Sequence, residues 1–455
     1  MILPTIALVG RPNVGKSTLF NRITRSRDAL VADRPGLTRD RHYGIGRMGD
    51  KSYLVVDTGG FEPSPDGGSI ESEMAEQTLL AIDEADIVLF LVDGREGLTA
   101  HDESIAILLR RLTGQRDCRV YVVVNKAEGL AHDIVVADFF KFGLGEAFTV
   151  SSSHGDGVMA MIETITVDFP KIPPKDTDAP HEKKPKVAVI GRPNAGKSTL
   201  INAFLGENRM IAYDQPGTTR DSIYVDFTKG KQAYTLIDTA GVRRRGKVTD
   251  AIEKFSVIKA LQAIEDANVV ILVLDAQQEV ADQDVSLAKF ALEAGRALVI
   301  AINKCDDIDD YQLSVMKRTL EFKLSFLDFA KRHFISALKK RGVNAILKSI
   351  NEAYDAAFSK LSTPKLTRAL IAAVAKQLPP RYGIHRPKLR YAHQGGMNPP
   401  LIVVHGTGLD HVPESYRRYL EGMFMDRFKL QGTPLRVQFK TAYNPYIEKR
   451  KRSRK

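Results

Sequence analysis

A chain of 455 residues that contains only two cysteines, Cys118 and Cys305, cannot build a disulfide framework. Such sparse thiols point to a reducing, cytoplasmic compartment. Long hydrophobic runs are also lacking. Runs such as Ile87–Val92, Val269–Leu274 and Ala297–Ile302 fall far short of the about 20 residues a membrane span needs. The N-terminal MILPTIALVG is apolar, but no charged segment precedes it and it leads straight into a glycine-containing loop. It reads as a first core strand and not as a signal peptide. Acidic residues are scarce at one end only. Residues 363–455 hold 19 Lys and Arg against 5 Asp and Glu, a charge of +14, whereas the first 362 hold 47 and 50, a charge of −3. An excess confined to the last fifth points to a polyanion, nucleic acid ahead of a merely solvated surface. The apolar fraction of 43% is ordinary, and the length suits about three domains.

What is present is a repeat. GRPNVGKSTLFN at Gly10 recurs as GRPNAGKSTLIN at Gly191, PGLTRD at Pro35 as PGTTRD at Pro216, and DTGG at Asp57 as DTAG at Asp238, each 181 residues later. NKAE at Asn125 matches NKCD at Asn303 with an offset of 178. A period of this length means duplication of a whole domain, not a solenoid. Short apolar runs alternate with helix-period segments in each copy; in the first they are Ile6–Val9, Tyr53–Val56, Ile87–Val92, Val120–Val124 and Phe148–Val150. That alternation predicts an α/β fold, a mostly parallel sheet with helices on both faces. The expected domains are 1–167 and 186–362, joined by a Pro-rich, charged and extended linker over 168–185. Residues 363–448 form a basic third domain of order α-β-β-α-β, with helices near Thr367–Leu378 and Glu414–Phe428 and strands at Lys388–His393, Leu401–His405 and Leu435–Phe439. The tail 449–455, KRKRSRK, is too polar to pack.

Four motifs carry the chemistry. Gly10-Arg11-Pro12-Asn13-Val14-Gly15-Lys16-Ser17 and Gly191-Arg192-Pro193-Asn194-Ala195-Gly196-Lys197-Ser198 fit the phosphate-binding pattern G-x-x-x-x-G-K-[ST], and Thr18 and Thr199 follow. The glycines let backbone N–H groups approach phosphates, Lys16 and Lys197 reach the β and γ oxygens, and Ser17 and Ser198 offer hydroxyls to Mg²⁺. Thr38 and Thr219 lie in loops after the first helices, where a hydroxyl on Mg²⁺ and an N–H on the γ-phosphate would sense that phosphate; alone, such Thr-Arg-Asp triplets are surface turns. Asp57 and Asp238 end apolar strands and can hold the Mg²⁺ shell, with Gly60 and Gly241 presenting N–H to the γ-phosphate. Thr58 and Gly59, and Thr239 and Ala240, complete these turns. Asn303-Lys304-Cys305-Asp306 reads the base: its carboxylate accepts from N1–H and the 2-amino group of guanine, donors that adenine lacks. The first copy has Asn125-Lys126-Ala127-Glu128, so guanine preference there rests on a carboxylate one methylene longer. Ser151 and Ser152, and Ser336 and Ala337, sit at strand ends where a loop can close over the base.

With these residues in view, the whole chain resembles the Der (EngA) family of bacterial ribosome-assembly GTPases, and both copies look like Era- and TrmE-like GTPases. The resemblance implies two tandem P-loop GTPase domains followed by a small KH-like α+β domain. It also implies two GTP/GDP sites with Mg²⁺, binding to the large ribosomal subunit and its rRNA during late maturation, and a monomer; no recognition of a DNA sequence is expected. A G-x-x-G clamp is missing from Thr363 onward; the nearest glycine groups are Gly395-Gly396 and Gly406-Thr407-Gly408, which argues against ordinary KH recognition of single strands. By the same resemblance Asn13 and Asn194 help hold a K⁺ ion; by turn chemistry alone they are residues that tolerate unusual backbone angles.

The reaction predicted is in-line attack of water on the γ-phosphate, catalysed by positioning and charge neutralisation. Phe61 and Val242 stand where many GTPases carry a water-orienting Gln, so unaided hydrolysis should be slow. Arg243-Arg244-Arg245-Gly246-Lys247 follows the second D-x-x-G, either a contact for RNA or a neighbouring domain, or a solvated basic loop; the first copy has Pro63-Ser64-Pro65-Asp66-Gly67-Gly68 there, so the copies should differ in task. Competing readings are a tRNA-modification or membrane-linked GTPase, for which neither cysteine is suitably placed, and a scaffold that binds nucleotide without turning it over. A P-loop ATPase or small-molecule kinase conflicts with the guanine motif.

Overall fold

The computed structural model describes residues 3–24, 42–46, 48–58, 79, 81–83, 85–113, 118–129, 132–145, 147–170, 184–206, 211–214, 223–237, 257–383 and 385–441. The chain divides into two compact units, Ile2–Lys175 and Asp176–Lys455.

The first unit holds a six-stranded sheet of order β2-β3-β1-β4-β5-β6, in which β1 is Thr5–Val9, β2 His42–Gly46, β3 Tyr53–Asp57, β4 Ile87–Asp93, β5 Arg119–Asn125 and β6 Ala147–Thr149. All neighbours are parallel except β2 against β3. The parallel strands are apolar along their length because helices cover both faces; β1, β3 and β4 are buried at every residue. One face packs on Leu19, Phe20 and Ile23 of the helix Lys16–Thr24, the other on Ile105 and Leu109 of the helix Ala100–Thr113. Each such side chain contributes about 1.5–3 kcal/mol when taken from water. The edge strand β2 was not among the expected runs, since HYGIG has no apolar stretch to announce it. Asp168 and Phe169, at the head of the predicted linker, belong to this unit's packing: Arg119 donates to Asp168 at 2.7 Å, and Phe169 is buried beside Tyr53.

The second unit repeats the plan in a seven-stranded sheet of order β13-β12-β11-β7-β10-β9-β8. Its central strands are β7 (Lys186–Ile190), β11 (Val269–Asp275) and β12 (Ala297–Asn303), flanked by β13 (Lys331–Phe334) and by β10 (Gln232–Ile237), β9 (Ile223–Lys229) and β8 (Ile211–Asp214). The strands from β10 to β8 pair antiparallel, the rest parallel. The α/β class with mostly parallel sheets therefore holds for both copies.

The basic segment is a three-stranded sheet, β14 (Lys388–Gly396), β15 (Leu401–Thr407) and β16 (Arg436–Thr441), with helices Thr363–Lys376 and Glu414–Phe428 on one face. The order is α-β-β-α-β, as the sequence predicts. The first helix begins four residues before the expected Thr367, because Pro364 fits a first turn, whose N–H groups need no helical partner. This segment is fused to the second nucleotide domain by backbone hydrogen bonds: Leu298 donates to Gly432 at 2.7 Å, Gly432 to Phe329 at 2.8 Å and Asn398 to Ala357 at 3.0 Å. The guanidinium of Arg436 donates to the Glu293 carbonyl.

Gly432 has φ 79°, and a Cβ on it would overlap Ala353 on the helix Val343–Ala357. Gly422 lies exposed in the helix Glu414–Phe428 with open space around it. Gly432→Ala should therefore cost about 1–3 kcal/mol. Gly422→Ala should stabilise by about 0.5–1 kcal/mol. Thermal denaturation of the two variants should move in opposite directions.

Candidate functional site

Each phosphate loop starts where a central strand ends. Gly10 (φ 155°) and Gly191 (φ 146°) lie so close to the next strand that a Cβ would strike the carbonyl of Leu91 or of Val273. The chain then turns through Asn13 and Asn194, at left-handed φ of 64° and 60°. Asn tolerates that region better than other non-glycine residues, so the turn chemistry of these positions is satisfied on its own account. Val14 and Ala195 point into the core at 0% and 3% exposure, so backbone is what the loop offers there. Arg11 and Arg192 tie the loop to the next helix: Arg11 pairs with Asp102 at 3.4 Å and Glu96 at 2.7 Å, and Arg192 with Asp284 at 2.8 Å. Both aspartates are buried and cap their own helices: Thr99 Oγ1 donates to Asp102 at 2.7 Å, and the Ala281 N–H donates to Asp284 at 3.0 Å.

Lys16 sits within its loop and donates to the carbonyls of Gly10 at 2.9 Å and Arg11 at 2.7 Å; Lys197 donates to Arg192 at 2.8 Å. Burial drives the Lys16 ammonium down to about 8, against the pull of Asp57 and with the push of Arg11. Ser17 Oγ donates to Asp57 Oδ2 at 2.8 Å. A hydroxyl and a carboxylate oxygen in contact beside a phosphate loop form the hard-oxygen pair that Mg²⁺ takes, together with phosphate oxygens. Among the described residues no group of three or more His, Cys, Asp or Glu gathers to hold a metal by itself.

The base end is built from β5 and β12. Asn125 Nδ2 donates to the Val14 carbonyl at 2.7 Å while its Oδ1 accepts from the Ser152 N–H at 2.9 Å. Asn303 repeats this with Ala195 at 3.0 Å and Ala337 at 2.9 Å. A Cβ on Gly15 or Gly196 would overlap the carboxamide, which is why glycine precedes each lysine. Lys126 and Lys304, both left-handed, donate to Asp93 and Asp275 at 2.6 Å. The 127 and 305 positions are pinned by Ala127 N–H to Val150 at 3.2 Å and Cys305 N–H to Ile335 at 3.0 Å.

The two base readers differ. Lys339 pairs with Asp306 at 3.1 Å, and the Ser336 hydroxyl and Lys339 hold that carboxyl below its ordinary value. Glu128, one methylene longer, pairs across the site with Arg95 at 2.7 Å, where the second copy has Gln277; its own backbone N–H and the Ser151 hydroxyl hold it low. Both carboxyls are thus kept as acceptors, which a guanine edge requires. Burial raises the Cys305 thiol, which donates to the Ile302 carbonyl at 3.2 Å.

Sequence reasoning missed Asp93, Asp275, Asp102, Asp284 and Arg95. Their signal was the repeat itself, since both aspartate pairs recur at an offset of 182. Thr38, Gly59, Gly60, Phe61, Thr219, Asp238, Thr239, Ala240, Gly241 and Val242 lie outside the described residues, as do the basic stretch 243–247 and the tail 449–455. Pro12, Pro193, Thr18, Thr199 and Ser198 lie in or directly after the loops. Neither cysteine is in a disulfide, and no helix among the described residues is long and apolar enough to cross a membrane.

Comparison with known proteins agrees with this geometry. A family model described as 50S ribosome-binding GTPase matches residues 5–126 and again 186–304. A second, described as the KH-domain-like C-terminal part of EngA bacterial GTPase enzymes, matches 360–440. The chain is 61% identical over 446 residues to the GTPase Der of Aromatoleum aromaticum, covering 98% of this chain and 99% of that one. It is 62% identical to that of an Azoarcus species, with the same coverage. Among solved structures it matches Era of Aquifex aeolicus at 24% identity and a TM-score of 0.34, over 48% of this chain and 75% of that one.

A phosphate seated on Lys16 would favour its charged form and raise its pKa. Nucleotide affinity at the first site should therefore be level below about pH 8 and fall as pH rises above it, by up to about tenfold per unit. Calorimetry near pH 8.5, in buffers of unlike ionisation enthalpy, should show net proton uptake on binding.

Proposed function

The chain belongs to the Der family of GTPases, and from that premise we propose that it is a switch of ribosome biogenesis, binding the large ribosomal subunit or its rRNA when GTP is bound and leaving after hydrolysis. One observation carries the reading: two nucleotide loops of the ribosome-binding GTPase type share a chain with a C-terminal segment of charge +14. Its reaction is the hydrolysis of GTP to GDP and phosphate. In the proposed sites Lys16 and Lys197 neutralise the β and γ oxygens, and backbone N–H groups of the loops orient them. Gly60 and Gly241 present N–H to the γ-phosphate, and Thr38 and Thr219 report its presence. Ser17 and Asp57, with Ser198 and Asp238 in the second copy, would hold Mg²⁺ together with these threonines. The ion, when bound, supplies charge neutralisation at the phosphoryl oxygens. Glu128 and Asp306 select guanine.

Water must be oriented without a Gln, since Phe61 and Val242 stand in its place. We assign compensation to K⁺ held through Asn13 and Asn194. Asn194→Gly separates this role from the turn role, because glycine keeps the left-handed backbone and removes only the carboxamide. Turnover is expected to be faster in KCl than in NaCl, and Asn194→Gly should lower that ratio towards one. Undiminished stimulation in this variant and in Asn13→Gly would leave both residues as turn formers.

The ribosome reading is tested by co-sedimentation with purified large subunits, using a non-hydrolysable GTP analogue, GDP or no nucleotide, with the full chain and one ending before Thr363. Pelleting should require the analogue and weaken on truncation. No pelleting with the analogue at modest salt refutes it; pelleting without any turnover in KCl and subunits points instead to a scaffold.

A further inference from the structure

The C-terminal sheet has one face packed on helices and one face open. Alternation along the strands sends Ala392, Ile402, Val404 and Val437 inward, where they join the core with Leu366, Leu370 and Leu420. The same alternation sends Tyr391, His393 and His405 to the other face, with Lys440 beside His405 on the parallel neighbour. There the rings form a stack. Tyr391 and His405, opposite each other across β14 and β15, lie 4.5 Å apart with planes within 2°; His393 follows at 5.0 Å and 27° from His405. Tyr391 remains 45% exposed. Beyond the end of β15, Tyr382 and His411 make a second parallel pair at 4.0 Å and 3°, with Tyr382 62% exposed.

We propose that this open face is a stacking platform for unpaired bases of an RNA strand, with Tyr391, His393 and His405 as its centre and Tyr382 with His411 as its outer extension. The inference deepens the ribosome reading above and rests on its assumption that the partner is RNA.

A stack of this kind also serves as a cross-strand pair that merely supports the sheet. Several observations favour a ligand. Tyr391 is exposed at the edge of the stack and His393 and His405 are half-buried beneath it, whereas a purely structural cluster gains more from facing the helices. The domain that carries them is cationic, with 13 Lys and Arg against 4 Asp and Glu over residues 363–441, and Lys440 lies beside His405, which suits a phosphate backbone. Desolvation, then His393 and Lys440, lowers the His405 imidazole from its ordinary value, so at neutral pH it is an uncharged ring suited to stacking. The platform also lies away from the joint with the second nucleotide domain, since that joint uses the chain around Asn398 and Gly432, and the rings are displaced towards the opposite end of the strands.

The test uses the full chain, with fluorescence anisotropy of a labelled ten-nucleotide oligouridylate and of an RNA duplex of equal length. Tyr391→Ala should weaken single-strand binding about tenfold and leave duplex binding unchanged, while Tyr391→Phe stays within about twofold of the parent. Lys440→Ala should instead lower the salt dependence of both ligands. Should Tyr391→Ala reduce the melting temperature, Tyr382→Ala, at an exposed ring outside the sheet, carries the test with a smaller expected loss of about threefold. No single-strand binding by the parent, equal losses on strand and duplex, or unchanged binding by both alanine variants overturns the platform. Subunit co-sedimentation is scored separately. Its failure with the tenfold effect intact removes the ribosome and keeps the platform; its success with no effect at Tyr391 or Tyr382 does the reverse.

Discussion

Each of the two phosphate loops hangs on one carboxamide. Asn125 and Asn303 reach from the end of a strand to the phosphate loop with one atom and to the base-side loop with the other. Each is almost fully buried, and so are both of its partners. In that environment a lost partner is not replaced by water, so the three segments are fixed together or not at all. The glycine before each phosphate-loop lysine follows from this, since any side chain would occupy the space of the carboxamide. The strand-end aspartates Asp93 and Asp275 then hold the neighbouring lysines, and the buried Asp102 and Asp284 hold the loop arginines. The phosphate-loop backbone is thus held in shape by buried side chains behind it.

Much of this was legible in the sequence, and the reason is physical. A loop that wraps phosphate with its backbone needs glycine at defined steps, and a carboxylate that reads guanine needs a defined place after a strand. Such constraints leave fixed letters at fixed spacings. Apolar strands buried on both faces leave continuous runs, so Ile87–Val92 and Ala297–Ile302 showed themselves at once. The supporting cast was harder to see. An aspartate at the end of an apolar strand, such as Asp93, looks like the start of a turn, and nothing local tells that its partner lies 33 residues on. The strand His42–Gly46 has no apolar period because it lies at an edge. The ring stack of Tyr391 and His405 depends on register between two strands, which local pattern does not give.

The two copies are alike in what holds the phosphate and unlike in what counters the base-reading charge. In the second, Lys339 reaches Asp306 from the loop after β13; in the first, Glu128 turns to Arg95 from the loop after β4. The loop that shares the carboxylate thus follows the cation on offer, Arg95 in the first copy, where the second has Gln277, and Lys339 in the second. The ion-pair partner of Glu128 is a side chain 59% exposed. Exposed pairs are weak and yield readily, so Glu128 is released from Arg95 at low cost.

The strand Ala297–Asn303 begins at the hydrogen bond from Leu298 to Gly432 and ends at Asn303. Seven residues of extended chain span roughly 20 Å and resist both stretching and compression. The joint to the C-terminal domain and the carboxamide that holds the second phosphate loop are therefore mounted on opposite ends of a single strut. A displacement of the C-terminal sheet is thus passed along this rod to the loop that Asn303 holds.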